Sequence, residues 1–181
     1  MRGQLFPYAD NLKTKSFPII TVALIAANAA VFLWSTGNFE AVIMAFGFVP
    51  ALFPSAHAFT TLLTSMFLHG GIDHIFGNMW YLWIFGDNVE DFFGKFRFSL
   101  IYIVSGVGAS LFQYATDPAS NIPSIGASGA ISGVLGAYFV LFPKSGVLTS
   151  AGYSLITIPS WIVIGFWFAM QLFFGAASLF G

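Results

Sequence analysis

The sequence has no cysteine, only three histidines and very little charge: six Lys and Arg and seven Asp and Glu in 181 residues. Without cysteine there can be no disulfide, no thiolate nucleophile and no sulfur-ligated metal. A charged fraction of 7% is too small to clothe a water-soluble domain. A net charge of −1 gives no basis for holding nucleic acid. What is abundant is apolar: 57% hydrophobic residues, 23 of them Phe, place the chain in the membrane class as one all-α domain.

The apolar residues fall into five runs, at 19–34, 73–85, 98–114, 125–143 and 158–174. With their flanks, each is read as a helical crossing of about 20 residues. Residues 35–71 hold Pro50 and Pro54, are too broken for a clean span, and suit packing in the interface or on other helices. Residues 86–97 carry Asp87, Glu90, Asp91, Lys95 and Arg97 and are expected to be a connection lying in water. Residues 1–17 read as a polar, basic N-terminal tail. The run at 19–34 reads as a retained span, since no clear small-x-small cleavage site follows it.

Sidedness follows from the basic residues. Arg2, Lys13 and Lys15 precede the first span, Lys95 and Arg97 follow the second, and Lys144 follows the fourth. All six therefore fall on one side, which the positive-inside rule makes cytoplasmic. An integral membrane protein with a cytoplasmic N-terminus is expected, in the plasma (inner) membrane of a prokaryote. Five crossings leave the C-terminus on the other side.

Two groups of residues carry the chemistry. In I-G-A-S-G-A-I-S-G-V-L-G, Gly126, Gly129, Gly133 and Gly136 recur every three or four residues, a bare stripe for close helix packing. Ser128 lies beside it with little bulk around its hydroxyl, which suits a nucleophile and equally suits ordinary helix–helix glue. In H-G-G-I-D-H-I-F-G-N-M, His74 and Asn78 are four apart and share a helix face, with Gly77 leaving room. Three readings compete for that pair. It can tie helices together, it can hold a metal, for which two ligands are too few, or it can donate hydrogen bonds to a developing oxyanion. His57 and His69 read as solvated or helix-end residues, and Asp73 either orients His74 or caps its helix.

Taken together, Gly126-Ala127-Ser128-Gly129, His74 with Asn78, and the segment W-I-F-G-D-N-V-E-D resemble the rhomboid family of intramembrane serine proteases. The resemblance implies a six-helix bundle with a water-filled cavity open to the outside. It implies Ser128 as the nucleophile that forms an acyl-enzyme, His74, Asn78 and the Ser128 backbone N–H as oxyanion donors, Gly126 and Gly129 in support, and no cofactor or metal. Substrates would be single-span membrane proteins whose helices unwind locally, because an intact helix shields its carbonyls. The family's general base is a histidine on the sixth helix, and this sequence has no histidine after His74. The expectation is therefore five spans of six, residues 18–181 forming a rhomboid-like domain cut before its last helix and inactive alone. Some members carry an aromatic one turn after the nucleophile, where this chain has Ser132. The alternative is a non-catalytic relative that binds or delivers membrane helices; a small transporter is disfavoured because the spans hold almost no ionisable residues.

Overall fold

The computed structural model describes residues 5–151 and 154–180. The elements in chain order are β1 (Leu5–Asp10), α1 (Ile19–Ser35), α2 (Phe39–Phe46), α3 (Ala56–Thr64), α4 (Ile72–Thr116), α5 (Ser128–Leu141), β2 (Gly146–Ala151), β3 (Ser154–Pro159) and α6 (Ser160–Phe180). Two helical runs, Ile19–Phe46 and Ile72–Thr116, are long and apolar enough to cross a membrane, while Ser128–Leu141 and Ser160–Phe173 are apolar but shorter. The protein is a mainly helical bundle. Its core joins Leu82, Phe85 and Val89 of the first half of α4 to Phe98 and Tyr102 of the second, and to Ile131, Leu135 and Tyr138 of α5.

The expected connection at 86–97 is shorter than its charge pattern implied: residues 72–116 are two helices that meet at a kink at Gly94, with Phe92 and residues 94–97 exposed around it. The φ of 75° at Gly94 is open to glycine and strained for other residues. Glu90 is buried there and Asp91 reaches the surface, and the chain supplies hydrogen-bond donors to both. Buried Glu90 accepts from Ile20 N at 3.0 Å, Thr21 N at 2.8 Å and Thr21 Oγ1 at 2.9 Å, capping the free N–H groups of α1. Asp91 accepts from Lys15 N, Ser16 N and Ser16 Oγ at 3.1, 3.0 and 2.7 Å. Gly86 lets the two helices meet, since a Cβ there would lie 3.0 Å from Thr21 Cγ2.

Within the tail read at 1–17, residues 5–10 form β1, which pairs antiparallel with β2, Leu5 opposite Ala151 and Asp10 opposite Val147. β2 pairs in turn, antiparallel, with β3, so residues 146–151 and 154–159, expected as linker and helix, are strands and α6 starts at Ser160. β1 runs beside α4: Phe6 stacks on Trp80 at 5.3 Å, and Trp80 Nε1 donates to Pro7 O at 2.6 Å. At the other end of the strand, Asp10 accepts from Asn88 Nδ2 at 2.8 Å and Tyr138 OH at 2.5 Å. Burial pushes the Asp10 carboxyl above its ordinary range, with the Tyr138 bond and the Leu12 backbone pulling back. These contacts gather the flanks of Lys13 and Lys15, Lys95 and Arg97, and Lys144 at one end of the bundle. The starts of α4 and α5 lie at the other.

Candidate active site at the starts of α4 and α5

The glycine stripe divides by function once it is folded. Gly129 and Gly133 face Ala109 and Ser105 of α4, with no space for side chains. Gly106 faces Met66 and Ala130 in the same way, so the second half of α4 packs on α5 backbone to backbone. Gly136 and Gly108 face open space. Gly126 is not on the helix, because α5 starts at Ser128 and not at Ile125. Its φ is 123°, and its N–H donates to Ser65 O at 2.9 Å. Next to it, Phe48 and Ser124 exchange backbone bonds of 3.0 and 2.7 Å. The connection at 35–71 is thus laid against the turn that precedes Ser128.

Ser128 is the first residue of α5 and half-buried. The N–H groups of Ser128, Gly129 and Ala130 precede the first intrahelical donor, Ile131 N, which bonds Ala127 O at 2.9 Å. Free N–H groups and the positive end of the helix dipole favour negative charge at this point.

His74 lies in the first turn of α4. Its relation to Ser128 is fixed through Gly126. A Cβ built on Gly126 would be 2.8 Å from His74 Nε2 and 3.9 Å from Ser128 Oγ. The imidazole edge and the hydroxyl therefore flank one bare α-carbon, and the sum of those two distances bounds their separation. Gly70 N donates to His74 Nδ1 at 3.3 Å, so in the neutral ring the proton sits on Nε2, which is then a donor toward Gly126 and Ser128. Asn78 is buried and spends one of its two N–H bonds on His74 O at 3.1 Å, with Oδ1 unpartnered. Among the described residues no hydrogen bond joins Ser128 Oγ to His74 or Asn78. Gly77 beside them faces open space.

His69 is the residue that sequence reasoning misplaced. It is not solvated: its exposure is 0%, and neither ring nitrogen meets a partner at hydrogen-bonding geometry. Its ring stands edge-on to His74 with centroids 5.0 Å apart. Burial first, and the neighbouring His74 second, push the His69 imidazole down to about 4, the Phe67 backbone pulling the other way. The signal in the sequence was its spacing, five residues before His74 across Gly70 and Gly71. His57, by contrast, is exposed on α3, and Asp73 is exposed in the first turn of α4, where it complements the helix dipole. One turn beyond Ser128, Ser132 Oγ accepts from Trp167 Nε1 of α6 at 3.3 Å, and the Trp167 ring lies 4.2 Å from that of Tyr81.

Residues 56–180 match the sequence profile of the Rhomboid domain. The chain is 41% identical over 112 residues to Rhomboid protease GluP of Bacillus subtilis, covering 61% of this chain and 21% of that protein. It is 33% identical over 105 residues to the putative rhomboid protease YdcA of the same organism, 57% of this chain and 52% of that one. It is also 36% identical over 102 residues to Inactive RHOMBOID-like protein 8 of Arabidopsis thaliana, 56% and 28%. The chain thus spans between about a fifth and a half of the length of these relatives.

Proposed function

Because this chain belongs to the rhomboid family of integral membrane proteins, we propose that it carries the nucleophile half of an intramembrane serine protease acting on transmembrane segments of other proteins. Ser128 Oγ attacks the scissile carbonyl carbon and forms an acyl-enzyme, releasing the C-terminal fragment as an amine. The oxyanion is held by His74 Nε2–H, by the second N–H of Asn78 and by the Ser128 backbone N–H, donors aimed before the charge appears. His69 backs the His74 ring and stays neutral. The observation that carries the reading is the placement of His74 Nε2 and Ser128 Oγ about the single Gly126 α-carbon.

The proton leaving Ser128 needs an acceptor. His74 is a poor candidate, because Nδ1 already takes the Gly70 N–H and Nε2 bears a hydrogen. The family resemblance assigns that task to a histidine on a further helix, and His57, His69 and His74 are the only histidines in these 181 residues. The same fact favours a second reading, a rhomboid-like module that captures membrane helices without cutting them. The six basic residues support a cytoplasmic N-terminus, with Ser128 toward the outer leaflet.

A fluorophosphonate probe separates the two. On the protease reading it labels the folded chain in membranes at Ser128, slowly alone and faster with a base supplied, and Ser128→Ala abolishes the label. Absence of labelling under both conditions, with the fold intact, leaves the binding module.

A further inference from the structure

At the end of the bundle opposite Ser128, a cavity of about 340 Å³ opens between the segment before α1, the lower turns of α4 and the end of α5. Its lining divides by chemistry. Lys13 and Lys15 are exposed; among the described residues neither ammonium makes a hydrogen bond, and the Lys15 charge is felt by Asp91 across the cavity without a direct contact. Asp91 and Asn88 supply oxygens. Asp91 is pinned to the backbone of Lys15 and Ser16, which holds the lysine segment over the cavity, and it keeps lone-pair capacity on Oδ2. Asn88 spends its Nδ2 on Asp10 and Asp87, both at 2.8 Å, leaving its carbonyl oxygen as an acceptor. The wall is apolar: Phe142 is half-buried and Phe92 is 59% exposed.

Two cationic donors, two oxygen acceptors and an aromatic wall, at the end of a membrane bundle where the basic residues gather, describe a headgroup and the start of its chains. We propose that this cavity binds a phospholipid headgroup whose phosphodiester meets Lys13 and Lys15 and whose terminal amine or hydroxyl donates to Asp91 and Asn88. Phe92 and Phe142 line the path of the glycerol and first acyl carbons. A free phosphate uses the lysines but has no use for the aromatic wall or the acceptors. The site is independent of any chemistry at Ser128.

The test is lipid retention. The chain is reconstituted in nanodiscs of phosphatidylcholine doped with phosphatidylglycerol or phosphatidylethanolamine, and the lipid it retains is counted by native mass spectrometry. Phosphatidylglycerol and phosphatidylethanolamine are retained over phosphatidylcholine, whose quaternary nitrogen has no hydrogen to donate. Replacing both lysines, Lys13→Gln with Lys15→Gln, weakens retention about thirtyfold, from the usual contribution of a lysine at a lipid surface. Lys144→Gln, at the same end but outside the cavity, leaves retention unchanged. Equal retention of the three lipids, or a double variant that retains as the parent does, overturns the proposal. Displacement of the lipid by millimolar inorganic phosphate overturns it too, by marking a phosphate site.

Discussion

Gly70 donates its backbone N–H to His74 Nδ1 at 3.3 Å, and this one bond decides what His74 can do. It leaves the ring hydrogen on Nε2, the atom that faces Gly126 and Ser128, so the imidazole offers a proton toward the Ser128 hydroxyl and has no lone pair there to accept one.

The first prediction follows from that tautomer. Nitrogen-15 NMR of the histidine-labelled chain will report His74 with its proton on Nε2. His74→Ala will slow acylation of Ser128 by about 10²- to 10³-fold, the usual cost of one oxyanion donor. A ring protonated at Nδ1 would contradict the assignment.

Gly126 and Gly136 test whether that placement depends on a bare α-carbon. Gly126→Ala adds a methyl 2.8 Å from His74 Nε2 at a φ of 123°, so it will cost about 1 to 3 kcal/mol of stability and displace the imidazole. Fluorophosphonate labelling will fall with it. Gly136→Ala projects into open space from the middle of α5 and will be neutral or stabilise by about 0.4 to 1 kcal/mol. Thermal unfolding in detergent and labelling rates compare the two.

His69, in the connection before α4, makes stability depend on pH. The unfolded imidazole takes a proton near 6.5 and the folded one only near 4, so acid favours the unfolded chain between these values. Stability is complete above pH 6.5 and falls by about 3 kcal/mol as pH drops toward 4. His69→Phe keeps the ring against His74 and will flatten the profile in unfolding titrations.

Imidazole in solution tests for the missing acceptor. If Ser128 lacks a base within these residues, labelling of the chain will rise with added imidazole, toward the 10²- to 10⁴-fold that acid–base catalysis supplies. Ser128→Ala will abolish it at every concentration, and an imidazole-independent rate would show that the acceptor is already present.

The order of the apolar helical segments was legible because apolar runs are local, and so were the glycines that bring α4 and α5 together, because their spacing is helical. The residues carried by motif, His74, Asn78 and Ser128, were legible as types and spacings, while the bond from Gly70 that sets the His74 tautomer was not. Long-range pairing stayed hidden: Leu5 meets Ala151 across nearly the whole chain, and L-F-P-Y-A-D, interrupted by proline, has no alternation that marks a strand. At 86–97 charge marked where the chain turns but not how briefly, since Glu90 and Asp91 find their donors in residues 15–21 and the helical turns run on to Gly94. His69 was read as a solvated or helix-end residue because burial by a folded connection leaves no trace in five neighbouring letters.

Gly94 is the single joint on which the two arms of α4 depend. With a φ of 75° at that one residue, any side chain placed there would load the bend, and the angle between the arms would have to change to relieve it.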